Sequence, residues 1–165
     1  MILFLDFDGV LHPDAVFLEK GRPVLKADGS LFMWSSHLEH ALTSYPHVEI
    51  VLSTSWVRVR GYSRARDALP ESLRQRVIGA TWHSAMGRSE FGGFRLPVCW
   101  WDQATRFQQI TRYVRRAQIS EWVAIDDHGE AWPSDDVGNL VWTRPDVGIS
   151  DPLALTQLRD RLGAS

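Results

Sequence analysis

Asp6 and Asp8 are two carboxylates placed two positions apart in the chain. They follow the apolar run Ile2–Leu5, which is typical of a strand buried on both faces of a parallel sheet. Two acids at the end of a buried strand raise each other's pKa, unless a nearby positive charge stabilises their ionised forms. A hard divalent cation with oxygen ligands is one source of that charge. An acidic turn without a ligand is the alternative interpretation of this pair.

Two further apolar runs are also followed directly by polar residues that could bind a ligand. The run Trp122–Ile125 is followed by the adjacent acids Asp126 and Asp127, and the run Val48–Leu52 is followed by the hydroxyl residues Ser53–Ser55. Small hydroxyl groups are suited to holding an anionic oxygen. Ligands of open α/β sheets bind at the carboxyl ends of the strands, so we expect these acids and hydroxyls to converge at one edge.

Taken together, these motifs resemble those of the haloacid dehalogenase-like (HAD) phosphohydrolase superfamily. The segment Asp6–Leu11 is similar to the first motif, D-x-D-G-x-L. Thr54 is similar to the second motif, an apolar strand that ends in Ser or Thr, and Asp126-Asp127 resembles the acidic fourth motif. The segment Leu52–Trp56 and the small insertions look like the compact HAD domains of RNA-repair proteins and short nucleotidases.

The resemblance implies a mechanism based on the first motif and the late acids. Asp6 is the expected nucleophile, which forms an aspartyl-phosphate, and Asp8 is the expected general acid and base. The expected cofactor is Mg²⁺, held by Asp6, by the backbone carbonyl of Asp8 and by the late acid pair. Asp127 is favoured as the direct ligand, with Asp126 acting beside it or through a water molecule. A turn or helix-capping acid is the alternative interpretation of Asp126.

The resemblance also implies a hydroxyl and a cation that bind the phosphoryl group. Thr54 is the expected hydroxyl, together with the backbone N–H of Ser55, and Ser53 is the alternative because strand ends can shift by one residue. The late cation of this family is commonly Lys, but both lysines of this chain precede residue 30. Arg106 is therefore the expected cation, with a planar fork in place of a point charge. A surface position is the alternative for Arg106.

Histidines and tryptophans near the motifs have less specific interpretations. His12 and His128 follow acidic motifs, but Mg²⁺ prefers oxygen ligands, which favours roles outside the metal's ligand set. Trp56 follows the second motif, and Trp100 and Trp101 lie in a Gly- and aromatic-rich segment. These three indoles are either core residues or surfaces on which a nucleic-acid base stacks.

The pattern of strands and helices predicts the fold that would position these residues. We expect an α/β, Rossmann-like three-layer sandwich with a mainly parallel sheet of about five strands, a hairpin flap as a minimal cap, and one HAD-like domain over residues 1–165. The predicted elements after the first strand are a hairpin over Ala15–Leu25, a helix over Leu31–Tyr45, a helical segment over Ser63–Gln75 restarted by Pro70, a strand over Val77–Thr81, a long loop over 83–101, a helix capped by Asp102 and extending to Ala117, a strand over Asn139–Thr143 and a last helix opened by Asp151-Pro152.

Composition narrows the class of protein. The 165 residues are 44% hydrophobic and 23% charged, and the formal net charge of −2 gives no general attraction to nucleic acid. The sequence contains no apolar run of about 18 residues and no basic leader, so we expect neither a membrane span nor a signal peptide. The single cysteine, Cys99, agrees with a reducing compartment, and we expect a cytoplasmic location.

These observations predict a Mg²⁺-dependent phosphomonoester hydrolase with an open site. The expected substrate is a phosphorylated small molecule, a nucleotide or a nucleic-acid end. A phosphotransferase and a catalytically silent module that binds phosphate or a partner protein are the alternatives. The presence of both Asp6 and Asp8 argues against the silent module, because loss of either acid would be sufficient to remove activity.

Overall fold

A parallel sheet of five strands forms the centre of the computed structural model, which describes residues 1–87 and 99–163. The described ranges contain seven strands, of which β2 and β3 form a separate hairpin. In chain order they are β1 (Ile2–Leu5), β2 (Val16–Glu19), β3 (Arg22–Leu25), β4 (Glu49–Leu52), β5 (Val77–Ala80), β6 (Trp122–Asp126) and β7 (Leu140–Trp142). The order across the sheet is β5-β4-β1-β6-β7, and every neighbouring pair is parallel. The predicted α/β fold with a five-stranded parallel sheet is confirmed.

Helices cover both faces of this sheet. They are α1 (Ser35–Leu42), α2 (Ser55–Arg60), α3 (Tyr62–Asp67), α4 (Glu71–Arg74), α5 (Trp100–Gln103), α6 (Arg106–Ala117) and α7 (Pro152–Gly163). Successive residues of β1 point to opposite faces, so Leu3 and Leu5 lie in the larger core, which also contains residues of α1 and α7. Phe4 lies in the smaller core with Ile110 of α6. This double burial explains why β1 is apolar at every position.

The predicted hairpin flap is present. Strands β2 and β3 pair in antiparallel register, with Val16 opposite Leu25, and the turn passes through Lys20 and Gly21 at positive φ. The flap is separate from the main sheet. It is the minimal cap that the sequence predicted, and it lies next to α2 across a small cavity.

The helical segments differ from the prediction in their number and bounds. The segment predicted over Ser63–Gln75 forms two short helices, α3 and α4, and α2 precedes them directly after the hydroxyl residues. Helices of four to six residues are too short to show a clear apolar periodicity, which is why α2 was missed. Helix α1 begins at Ser35 instead of Leu31, because Phe32 adopts a left-handed φ of 61°.

The prediction that Asp102 caps the helix before β6 is wrong. Asp102 lies inside the short helix α5, whose N-cap is Cys99, and Ala104 is extended. Thr105 caps α6 in a capping box with Gln108, so Arg106 is the first residue of that helix. The S/T-x-x-Q spacing is a known helix-start signature and was the better signal. The loop predicted over 83–101 includes a 3-10 turn at Ser84–Gly87, and its residues 88–98 lie outside the described part of the chain.

None of the helices in the described ranges is long and apolar enough to cross a membrane.

Candidate active site

The carboxyl ends of the three central strands bring distant polar residues to one edge. In the register of β1, Leu5 lies opposite Leu52 of β4 and Ile125 of β6. The residues that follow these three are Asp6, Ser53 and Asp126, in the same order, and all of them are buried. The site is built at the strand ends because parallel strands in register deliver their following residues to the same place.

Arg106 joins two of these acids. Its Nη2 atom lies 2.6 Å from Oδ2 of Asp6, and its Nε atom lies 2.8 Å from Oδ2 of Asp126. A third nitrogen, Nη1, donates to Oε1 of Gln109 at 3.2 Å. Gln109 in turn donates from Nε2 to the backbone oxygens of Trp101 and Ala104. The first turn of α6 is thus held so that its guanidinium faces the strand ends.

The positive charge of Arg106 does not fully offset the cost of burying the acids. Burial raises the pKa of Asp6 well above its usual value, and the charges of Asp126 and Asp8 raise it further, while Arg106 and the Phe7 N–H lower it. The Phe7 backbone donates to Oδ1 of Asp6 at 2.7 Å. Burial also raises the pKa of Asp127. The edge of the sheet therefore holds more negative charge than its own cations neutralise.

His128 extends this cluster toward the surface. Its Nδ1 atom lies 2.6 Å from Oδ1 of Asp127, and its backbone N–H donates to Oδ1 of Asp126 at 2.9 Å. Hydrogen bonding to Asp126 and the charge of Asp127 raise the pKa of His128 to about 9. The imidazole thus lies on the surface side of the late acids, in contact with Asp127.

The acids meet the requirements of a hard cation. Ligand atoms of Asp6, Asp126, Asp127 and His128 lie within 4.8 Å of one another. A Cβ on Gly9, whose φ is +65°, would lie 2.3 Å from Oδ2 of Asp127, so only glycine lets that carboxylate approach the first motif. Three buried carboxylates, which only Arg106 and His128 contact as cationic side chains in the described part of the chain, offer mostly oxygen donors and fit a divalent cation such as Mg²⁺.

Asp8 is held by a different set of contacts from the other acids. Trp56 Nε1 donates to its Oδ2 at 3.0 Å and is 3.2 Å from its Oδ1, and His12 Nε2 lies 3.0 Å from its Oδ1. The Phe32 N–H donates to Nδ1 of His12 at 3.3 Å, which assigns the proton of the neutral imidazole to Nε2. His12 therefore donates to Asp8. Two fixed N–H groups orient this carboxylate.

The burial of the tryptophans distinguishes between their two interpretations. Trp56 is only 5% exposed, and its ring packs edge-on against Phe7 and Phe32. Trp101 is also buried, whereas Trp100 is exposed with Arg112 above its ring. The burial of Trp56 and Trp101 agrees with the core interpretation of these two residues. Trp56 contacts Asp8 across 48 positions of sequence, and no local pattern could reveal that contact.

The hydroxyl residues at the end of β4 differ in how far they are already engaged. Thr54 is the N-cap of α2, and its Oγ1 accepts from the Trp56 N–H at 3.3 Å. Ser55 is exposed as the first residue of α2. Ser53 is buried, and its Oγ has no hydrogen-bond partner in the described part of the chain. A buried hydroxyl without a partner is costly unless a ligand or water satisfies it.

A comparison with known protein families agrees with this geometry. The sequence model of the family described as "HAD domain in Swiss Army Knife RNA repair proteins" matches residues 2–154. No curated protein and no solved structure gives a significant match.

Proposed function

Because the chain belongs to the family of HAD domains found in Swiss Army Knife RNA repair proteins, we propose that it is a Mg²⁺-dependent phosphomonoester hydrolase. The observation that carries this proposal is the buried contact of Arg106 with both Asp6 and Asp126. Asp8, two residues after Asp6, is held separately by Trp56. A nucleophilic carboxylate, a cation beside it and a second acid at hand are the groups that phosphoryl transfer needs.

In the proposed first step, an oxygen of Asp6 attacks phosphorus. The new bond joins that carboxylate oxygen to phosphorus, and the bond from phosphorus to the leaving oxygen breaks. Asp8 gives its proton to the leaving oxygen. In the second step, water attacks the aspartyl-phosphate, Asp8 takes the proton of that water, and inorganic phosphate and free Asp6 result. Arg106 holds Asp6 in place and offsets the charge of the phosphoryl group.

The donor set supports a ligand arrangement for the cation. Asp6, the backbone carbonyl of Asp8 and Asp127 would hold Mg²⁺, which when bound neutralises charge on the phosphoryl oxygens. Oδ1 of Asp126 accepts a hydrogen bond from the His128 N–H, and its Oδ2 lies 2.8 Å from Arg106 Nε in an ion pair that lacks hydrogen-bond geometry. This supports Asp127 as the direct ligand and Asp126 as its outer partner.

For the phosphoryl-binding hydroxyl, the contacts favour Ser53 over Thr54. Ser53 lies level with Asp6 across the β1–β4 register and has the buried hydroxyl that lacks a partner, whereas the hydroxyl of Thr54 caps α2.

We also propose that nucleotides or nucleic-acid ends are the substrates, which the small flap and the family's name support. The single cysteine supports a reducing, cytoplasmic setting.

Covalent trapping of the intermediate is the direct test. Wild-type protein mixed with an isotopically labelled aryl phosphate and Mg²⁺, then quenched in acid, should carry a label that hydroxylamine removes, as an acyl-phosphate does. Asp6→Asn should show no label and at least a roughly thousandfold lower turnover, because an amide is not a nucleophile. Asp67→Asn, an exposed change on α3, is the control. Equal turnover of Asp6→Asn and wild type would overturn the mechanism.

A further inference from the structure

A cavity of about 130 Å³ opens directly beside Asp8, between the flap and α2. Asp8 and Trp56 lie at its inner end. The two walls are formed by flap residues on one side and α2 residues on the other, namely Val16, Phe17, Leu18 and Pro23 facing Ser55, Val59 and Arg60.

Most of the side chains that line this cavity are apolar, and several of these are exposed. Phe17 of the flap is 59% exposed and Val59 of α2 is 57% exposed. Single exposed apolar side chains are ordinary on protein surfaces, but here they converge on one cavity next to a functional acid. Neither side chain belongs to the two hydrophobic cores of the described chain. Their carbon surface is available to a ligand.

The position of the cavity relates it to one part of the substrate. In the proposed mechanism Asp8 protonates the leaving oxygen, so the leaving group lies on the Asp8 side of phosphorus. The cavity is on that side. Pockets for drug-sized ligands measure roughly 300–1,000 Å³, so a cavity of about 130 Å³ takes one ring system and leaves the rest of the substrate outside.

A cation lies at the same cavity. Arg60 lines it from α2, and its Cζ atom is 5.4 Å from the centre of the Trp56 ring. A polar sugar would leave the apolar walls without a partner, whereas a planar aromatic group with an anion beside it matches both the walls and Arg60. A nucleoside followed by a phosphodiester has this combination of groups.

We propose that this cavity holds the terminal nucleoside of a nucleic-acid strand, with its base between Phe17 and Val59 and the adjoining phosphodiester at Arg60. The inference rests on the proposed function, because it names the leaving group of that same reaction. In this proposal the base contacts Phe17 of the flap and Val59 of α2 instead of stacking on a tryptophan.

The test compares kcat/KM for three phosphomonoesters: a dinucleotide with a terminal phosphate at either end, the matching mononucleotide, and a small sugar phosphate. Phe17→Ser should lower the ratio of mononucleotide to sugar phosphate by about tenfold or more, since stacking on an aromatic contributes that much. Arg60→Gln should lower the ratio of dinucleotide to mononucleotide. Leu153→Ser removes an apolar residue that is 72% exposed on α7 and should change neither ratio.

Several outcomes would overturn the proposal. The proposal is wrong if the wild-type protein has its highest kcat/KM on the sugar phosphate. It is also wrong if a phosphotyrosine peptide is hydrolysed with a higher kcat/KM than the dinucleotide. Equal loss on all substrates in Phe17→Ser would also overturn it. If wild type hydrolyses no phosphomonoester, the proposed function fails, and binding of the unphosphorylated dinucleotide then decides. About tenfold weaker binding to Phe17→Ser supports the cavity assignment, and equal binding refutes it.

Discussion

Arg106 makes contacts that a lysine could not reproduce. Different nitrogens of its guanidinium face Asp6 and Asp126, at 2.6 Å and 2.8 Å, and a third reaches Gln109. A lysine ammonium is a point charge on a flexible stem, so it cannot span both acids in one geometry. One arginine at this position therefore contacts both the proposed nucleophile, Asp6, and the late acid Asp126.

We predict that Arg106→Lys lowers kcat/KM by about 10- to 100-fold, the loss expected for one hydrogen bond to a charged group. Arg106→Met should lower kcat/KM as well, and it should also lower the free energy of unfolding by about 3–5 kcal/mol, because it leaves Asp126 buried without its partner. Steady-state kinetics and urea unfolding measure these effects. Arg115→Lys, an exposed change on α6, is the control, and a comparable loss in that variant would contradict the assignment.

Trp56 is predicted to orient Asp8 through its N–H. Trp56→Phe keeps an aromatic ring in the core but removes the donor to Asp8, so kcat should fall about tenfold or more with little change in KM. Trp132→Phe is a matched control, since the N–H of this buried indole has no partner among the described residues. An effect of Trp56→Phe that appears in KM alone, or that is no larger than in Trp132→Phe, would refute the orienting role.

At the scale of elements, α5 ties α2 to the start of α6. Asp102 of α5 accepts two hydrogen bonds from Arg58 of α2, at 3.1 and 3.2 Å, and one from the Cys99 N–H. These contacts lower the pKa of Asp102 to about 2, with Arg58 as the first cause. The turn between α5 and α6 leads directly into Arg106, the first residue of α6, so this ion pair supports the position of that cation without contacting the site.

The predicted consequence is a stability difference that depends on pH. Because the folded pKa of Asp102 is about 2 and the unfolded value is about 3.9, its stabilisation is present above pH 4 and is lost as the pH falls toward 2. Asp102→Asn should therefore lower the free energy of unfolding by about 1 kcal/mol at pH 7, after allowance for solvent screening, and by less near pH 3. Asp146→Asn, in an exposed ion pair, should cost less, and a pH-independent difference for Asp102→Asn would contradict this account.

At the scale of the whole molecule, negative charge is concentrated at one edge of the sheet although the net charge is only −2. Binding of a divalent cation at that edge should stabilise the fold, by about 2.7 kcal/mol at a hundredfold excess over Kd. For a domain of this size the unfolding temperature should rise by about 5–10 °C. Asp127→Asn should reduce this rise, and Asp135→Asn, an exposed matched change, should keep it. An unchanged rise in Asp127→Asn would exclude Asp127 as a ligand.

The sequence by itself was sufficient for the sheet and the flap. Each central strand is an apolar run closed by polar or turn-forming residues, and β1 is buried on both faces as its composition predicted. Such runs are local signals, so they survive without knowledge of the tertiary structure. The short helices α2 and α3 were missed or merged, because six residues do not show a helical period.

Which side chains meet was decided by the tertiary structure. The sequence proposed the acids and Arg106 through resemblance, but their contacts depend on the start of α6 at Thr105 and on the strand register, which brings Ser53 level with Asp6. The orientation of Asp8 by Trp56 joins residues 48 positions apart, and the cavity forms between a flap and a helix that share no sequence pattern. Periodicity reports whether a residue faces inward, but only the packing of elements determines what it faces.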